Sequence, residues 1–248
     1  MFKKIVLAAA LMSTLVGSAF AAEKLRVGTE PTFAPFEFLD TKTNKVTGYD
    51  IELIKAIGKK AGYEVEVQSM GFDALIPALS VGTIDAAIAG ISITEERQKK
   101  VDFTTPYYES GLAYLTLKSN AEKYPTFESL KGKTIAAQIG NTGADYAKKT
   151  LGAKVLTFNT TSEAFMDLSS GHSSVAVVLD RPVLAYFLKS KPAQAKNFQL
   201  SKETADAENY GIAVKKGNTK LLEALNKAYE ELKASGELKK IHDNWFAE

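Results

Sequence analysis

Residues 71–97 read GFDALIPALSVGTIDAAIAGISITEER. Residues 74–81 have the spacing of a short helix, and Gly82 follows as its stop. Residues 85–89 form a small-residue strand that runs into Gly90. Residues 94–100 then start another helix. Helix, turn, strand, glycine loop and helix in this order predict α/β architecture. The unit has an echo. Leu79-Ser80-Val81-Gly82 leads into Asp85-Ala86-Ala87, and Leu168-Ser169-Ser170-Gly171 leads into Ser174-Val175-Ala176. Two similar lobes account for this better than one continuous sheet. No low-complexity segment or long linker separates the halves, so strands rather than a flexible tether are expected to join them.

The flanking sequence continues the alternation. Residues 25–28 predict a strand, and residues 29–35 a loop broken by Pro31 and Pro35. Ile51, Ile54, Ile57 and Ala61 recur at helical spacing, with Asp50 expected as N-cap and Gly62 as stop. Residues 64–68 alternate as a strand should. Residues 103–108 form an aromatic, proline-containing connection. Beyond them come strands at 133–139, 155–158 and 175–179, interleaved with helices at 144–150, 162–169 and 181–189. Such repetition predicts mostly parallel sheets. A late strand is expected at 210–214. A long amphipathic helix follows, interrupted at Gly236 and continued by Leu238, Ile241 and Trp245.

The N-terminus reads as an address. Lys3 and Lys4 precede an uncharged apolar stretch that ends in Ala19-Phe20-Ala21, the layout of a cleaved secretory signal over residues 1–21. A bilayer span needs roughly 18–20 apolar residues, and Ser13, Thr14, Gly17 and Ser18 dilute this stretch. Cleavage after Ala21 removes two lysines and no acid. The 248-residue chain carries 31 basic and 29 acidic residues, so the processed chain is formally neutral. No phosphate-neutralising basic run appears, which argues against nucleic-acid binding. The chain has no cysteine. That excludes disulfides, thiolate metal sites, cysteine nucleophiles and lipidation on an N-terminal cysteine. A soluble periplasmic monomer is expected.

Catalytic and cofactor signals are weak. The two histidines, His172 and His242, have no metal-ligand spacing. His172 lies in a Ser/Gly-rich turn, and His242 is expected at the surface or at a helix cap. No nucleophile elbow, zinc-protease motif or Walker loop occurs. Gly140-Asn141-Thr142-Gly143 precedes a helix but is not a dinucleotide fingerprint; helix-start amides there suit a small anion. No metal, cofactor or catalytic residue is expected.

Four stretches suit a small ligand, each at the end of a predicted strand, where α/β proteins tend to bind. They are residues 30–38, residues 71–73, residues 89–97, and a pair in the second half, 138–142 with 179–182. Arg97 offers a planar fork for a carboxylate. Asp180 offers a partner for an ammonium, and the same residue suits the cap of the helix near Pro182. Phe33 and Phe72 offer flat apolar faces, or core packing. Together they match the needs of a free amino acid.

These stretches resemble a known family. The matching motifs are Phe33-Ala34-Pro35-Phe36-Glu37, Gly48-Tyr49-Asp50-Ile51-Glu52-Leu53, residues 72–79, residues 90–97, Asp102-Phe103-Thr104, and the end from Gly236 to Trp245-Phe246. They are similar to the extracellular solute-binding proteins, family 3, which deliver polar amino acids to ABC importers. The resemblance runs over essentially the whole processed chain. It implies the two-lobed α/β fold of type II periplasmic binding proteins, with two hinge strands and a ligand cleft between the lobes. Lobe 1 would comprise residues 22–110 and 206–248, and lobe 2 residues 111–205. It also implies a membrane permease as partner. Carried over by position, Arg97 would grip the ligand α-carboxylate, assisted by Gly90, Ser92 and Thr142. Asp180 would pair with the α-ammonium, and Phe33 and Phe72 would sandwich the side chain. Glu30 and Gln138 would face its far end.

Four positions depart from the family pattern, the last of them, Ser174, at a strand end and expected to matter only there. Glu30 stands where the family commonly has aspartate. The glutamine binder has lysine at the position of Gln138 and histidine at that of Leu179. Ser174 replaces the usual acid of a second-lobe turn. Arg97 and Asp180 balance the two α-groups of a ligand, which leaves the Glu30 carboxylate unbalanced, opposite neutral Gln138. A cationic side chain would offset that, so arginine or lysine is expected first and glutamine second. Two other functions fit the fold: an exported cyclohexadienyl- or arogenate-type dehydratase using Glu30 as general acid, and a ligand sensor without transport.

Overall fold

The computed structural model describes residues 22–246. The signal-peptide expectation for residues 1–21 lies outside the described residues. In chain order, β1 (Glu23–Thr29) is followed by a three-stranded meander of β2 (Thr32–Phe33), β3 (Glu37–Asp40) and β4 (Lys45–Thr47). Then come α1 (Tyr49–Lys60), β5 (Tyr63–Ser69), a 3-10 turn at Phe72–Ala74 and α2 (Leu75–Val81). Next are β6 (Ala86–Ala87), α3 (Glu95–Gln98) and β7 (Val101–Phe103), and then a long strand, β8 (Tyr108–Leu117). β9 (Thr134–Gln138), α4 (Thr142–Lys149), β10 (Lys154–Phe158), α5 (Thr161–Ser170) and β11 (Ala176–Asp180) follow. The rest is α6 (Arg181–Ser190), α7 (Pro192–Ala195), β12 (Phe198–Leu200), β13 (Ala205–Tyr210), β14 (Ala213–Lys215), α8 (Thr219–Ala234) and α9 (Glu237–Phe246).

Two mixed sheets organise these elements. The first has the order β5-β1-β6-β14-β7, the second β10-β9-β11-β8-β12, with β13 also paired to β8. Each contains a parallel trio built by the same path: β1, α1, β5, α2, β6 in one and β9, α4, β10, α5, β11 in the other. The echo noted in sequence falls at the same place in both trios. Gly82 (φ 80) and Gly171 (φ 68) each end a helix in the left-handed conformation that a side chain disfavours, and a buried strand follows.

The expectation of mostly parallel sheets needs correction. β14 runs antiparallel to β6 and β7, and β8 runs antiparallel to β11, β12 and β13. A helical crossover returns the chain to the same edge direction and so gives parallel neighbours. The chain instead reaches β8 and β14 from the other sheet. These two crossings lie side by side: Tyr108 pairs with Tyr210, and the Tyr107 amide donates to the Tyr210 carbonyl at 2.9 Å. An aromatic cluster packs there. The Phe36 ring lies 4.8 Å from Tyr108, 5.2 Å from Tyr210 and 5.4 Å from Phe246.

Other elements follow local chemistry. Asn141 caps α4, and Thr160 with Glu163 forms a capping box on α5. Asp50 is not an N-cap, contrary to the sequence reading. Gly48 takes that position, and Asp50 is buried inside the first turn of α1. The expected strand at 210–214 is split between β13 and β14, because the crossing falls at Gly211 and Ile212. Among the described residues no helix is long and apolar enough to cross a membrane.

Candidate functional site

The strand ends of both sheets meet along one seam. Glu30 directly follows β1 and is only 4% exposed. Its carboxylate accepts the Thr32 hydroxyl at 2.8 Å and the Gln138 amide at 3.0 Å. Gln138, the last residue of β9, also donates to the Asn159 carbonyl. Burial pushes the Glu30 carboxyl up, against the hydrogen bonds from Gln138 and Thr32 that pull it down. Neutral Gln138 stands against Glu30, as the charge count assumed, so among the described residues no cation balances the Glu30 carboxyl. It has two neutral donors, which offset its desolvation only in part.

Phe33 sits in β2 with its ring against Gly90. Gly90 has φ 53, and a Cβ there would fall 2.6 Å from the Phe33 ring. Two separate constraints thus require glycine. The Gly90 amide donates to Asp50 at 2.9 Å, so the backbone group it leaves for another molecule is its carbonyl. Asp50 also accepts the Tyr107 hydroxyl. Below lies Glu37, fully buried, with both carboxyl oxygens lacking a partner, as does Oδ1 of Asp50. Burial pushes Glu37 well above the usual carboxylate range and Asp50 up to about 6. Burial thus disfavours the charged form of Glu37, and the Asp50 charge beside it acts in the same direction.

Arg97 lies in the single-turn helix α3, which Thr94 caps. Its guanidinium donates to the Ser92 carbonyl at 2.8 Å and to the Gly140 carbonyl at 3.0 Å. It stands 5.3 Å from the centroid of Phe72, a cation–π geometry. Phe72 is half-buried in the 3-10 turn before α2. Burial lowers the Arg97 pKa, and the Glu208 and Asp180 carboxylates act to raise it. Ser92 is buried and donates its hydroxyl to Glu208 at 2.8 Å. Thr142 opens α4 and lines the groove of about 390 Å³ that holds Phe72, Arg97 and Gly140.

Asp180 ends β11 at the N-cap position of α6 but makes no capping bond. Its carboxylate accepts the hydroxyls of Ser110 and Tyr210 instead. Burial, then the nearby Glu208 charge, pushes it up to about 8. The capping alternative for Asp180 is thereby removed.

Contacts that join the elements of the two sheets across the seam include Glu30 to Gln138, Arg97 to Gly140, Thr161 to Thr32 and Ser92 to Glu208. The structure thus gathers Glu30, Phe33, Gly90, Ser92, Arg97 and Phe72 on one side, with Gln138, Thr142 and Asp180 on the other. Sequence reasoning missed Thr32, Thr161 and Glu208. Thr161 begins α5 beside a recognisable cap, and Glu208 stands two residues before Tyr210 on one strand face. Neither position carries a distinctive motif.

The model of the bacterial extracellular solute-binding proteins, family 3, matches residues 25–248. The chain belongs to this family. It is 38% identical to the ABC transporter arginine-binding protein 1 of Escherichia coli (strain K12), over 98% of this chain and 99% of that protein. Among solved structures it is similar to an ancestral arginine-binding protein bound to arginine, with TM-score 0.84, 47% identity, and 90% of this chain and 98% of the other covered. The same description bound to glutamine gives TM-score 0.85 and 48% identity, covering 91% and 98%. These relatives are described as binding proteins, which bears out binding as the expected role in preference to the dehydratase alternative. The two-lobed type II binding fold expected from the motifs is the fold of this chain.

Proposed function

We propose that this chain is the amino-acid-capturing component of an ABC importer, with arginine as preferred ligand. In this reading it works in the periplasm after loss of residues 1–21 and delivers its ligand to a membrane permease. Residues 22–110 and 206–248 act as one lobe and residues 111–205 as the other, closing about the paired crossings. The observation that carries the reading is charge placement at the seam. Arg97 and Asp180, a cation and an acid, stand on opposite sides, with Arg97 against the ring of Phe72.

A ligand α-carboxylate fits the remaining donor edge of Arg97, with the Thr142 hydroxyl and the amides that open α4 behind it. The α-ammonium fits Asp180, the Gly90 carbonyl and Ser92. The side chain then extends between the rings toward Glu30 and Gln138. Glu208 adds a third acid to Glu30 and Asp180, against Arg97 as the cation bonded across the seam. That excess of negative charge supports a cationic ligand over a neutral one, and a neutral one over glutamate. The ancestral relatives bound to arginine and to glutamine support both as candidates.

A thermal-shift screen of protein unfolded and refolded to strip carried-over ligand tests this. Arginine, lysine or ornithine should raise the melting temperature most, and glutamine less. No shift with any of the twenty amino acids, ornithine included, overturns the proposal.

A further inference from the structure

Glu208 has no part in the motifs that defined the site, yet it touches two of its residues. It lies in β13 opposite Ser110 of β8, and Ser110 donates to Asp180. Asp180 is the partner of Leu112 on the other edge of the same strand. Tyr210, two residues beyond Glu208 and therefore on the same strand face, donates to Asp180 as well. Ser92 donates to Glu208 from the opposite side. Two carboxyl groups thus converge where the proposed ammonium would sit, one fully enclosed and one half-buried.

We infer that Glu208, set beside Asp180 by the pairing of β13 with β8, makes Asp180 hold a proton before ligand binds, and that this proton is released when an ammonium takes its place. Glu208 is then a determinant of ligand charge, and capture is linked to proton release. This rests on the amino-acid-binding reading above.

A neighbouring carboxylate makes ionisation of a buried acid unfavourable, and the ordinary remedy is a proton retained on the buried group. Burial together with Glu208 holds Asp180 up to about 8, consistent with a proton retained at neutral pH. The surrounding groups modulate the pair without removing the conflict. Arg97 of α3 and the hydroxyls of Tyr210 and Ser110 favour ionisation of Asp180, while burial and the Glu208 charge oppose it. A second groove of about 380 Å³, lined by Ser92, Thr142, Asp145, Lys149, Asp206 and Glu208, opens the Glu208 side to solvent. The proton leaves by that route as a hydronium or onto buffer. An incoming ammonium donates to both carboxylates and makes the proton unnecessary.

The test is calorimetric titration of the wild-type protein with arginine at pH 6.5, in phosphate and in Tris, whose ionisation heats differ. The expected result is release of close to one proton per arginine, falling toward zero at pH 9. Affinity should rise by up to about tenfold per pH unit below pH 8. Glu208→Gln keeps an acceptor for Ser92 and removes the acid, so release should drop below half a proton and the pH slope should flatten. Glu208→Asp should restore both. Arginine binding with no proton released at pH 6.5 overturns this inference and leaves the proposed function standing. Unchanged release in Glu208→Gln also overturns it, because Asp180 would then hold its proton without Glu208. If Glu208→Gln does not fold, the wild-type pH series decides by itself. If no amino acid binds, the functional reading fails and this inference with it.

Discussion

Arg97→Ala removes the group that bridges the seam and, in the proposed role, holds the ligand carboxylate. The guanidinium already spends donors on the Ser92 and Gly140 carbonyls. It also stacks against Phe72. Truncation therefore deletes two fixed bonds, one of them across the seam, and leaves a buried ligand carboxylate without its charged partner. Stranding a buried charge of this kind costs about 3–5 kcal/mol, or roughly two to four decades of affinity. The fold should survive, because α3 is a single turn whose capping bond comes from Thr94 and a backbone amide, neither of which needs the guanidinium. Arg97→Lys is the informative companion. It keeps the charge but has no fork to reach both carbonyls and a carboxylate together, so its affinity should fall between the two. Calorimetry with arginine, alongside melting curves without ligand, separates binding from stability. An Arg97→Ala protein that binds arginine within tenfold of wild type refutes the assigned role. So would an equal loss of stability and affinity, because the residue would then be acting on the fold.

Further predictions concern the neighbouring groups. Glu30→Gln should lower arginine affinity by about 1.5–3 kcal/mol while sparing glutamine, since a neutral acceptor replaces a charged one; competition between the two ligands reads the ratio, and an unchanged ratio would remove Glu30 from the site. Gly90→Ala places a Cβ 2.6 Å from the Phe33 ring at φ 53, so a loss of about 1–3 kcal/mol of stability and of most binding is expected. A wild-type melting temperature in that variant would contradict the geometry. The buried Glu37 and Asp50 both have raised folded-state pKa values. Folding therefore takes up protons, and the stability they allow is fully present below the ordinary carboxyl range and declines as pH rises through it. Glu37→Gln has no charged form to bury, so it should gain on wild type by up to about 1.4 kcal/mol per pH unit between pH 5 and 7. Parallel stability profiles of the two proteins would show that Glu37 does not titrate in this way.

The sequence by itself determined the alternation of strands and helices, the doubled unit and the side chains that the two sheets bring to one seam. Those features rest on local periodicity, glycine stops and side-chain chemistry, which act over a few residues. It also located Arg97, Gly90 and Asp180 at strand ends, where two trios built by the same path must present them. What only the tertiary structure decided is set by pairings between distant segments. β8 carries no clear alternation, because it is buried across most of its length and spans two environments, so its role as the shared strand of the second sheet stayed hidden. The acids were least legible. Asp50 looks like a cap in sequence, but it holds the Gly90 amide 40 residues away. Glu30 meets Gln138 108 residues along the chain. Glu208 gave no signal until β13 was paired with β8 and brought beside Ser92 and Asp180. A carboxylate's effect depends on what solvates it, and burial and partners of that kind come from the packing of the two sheets rather than from neighbours in sequence.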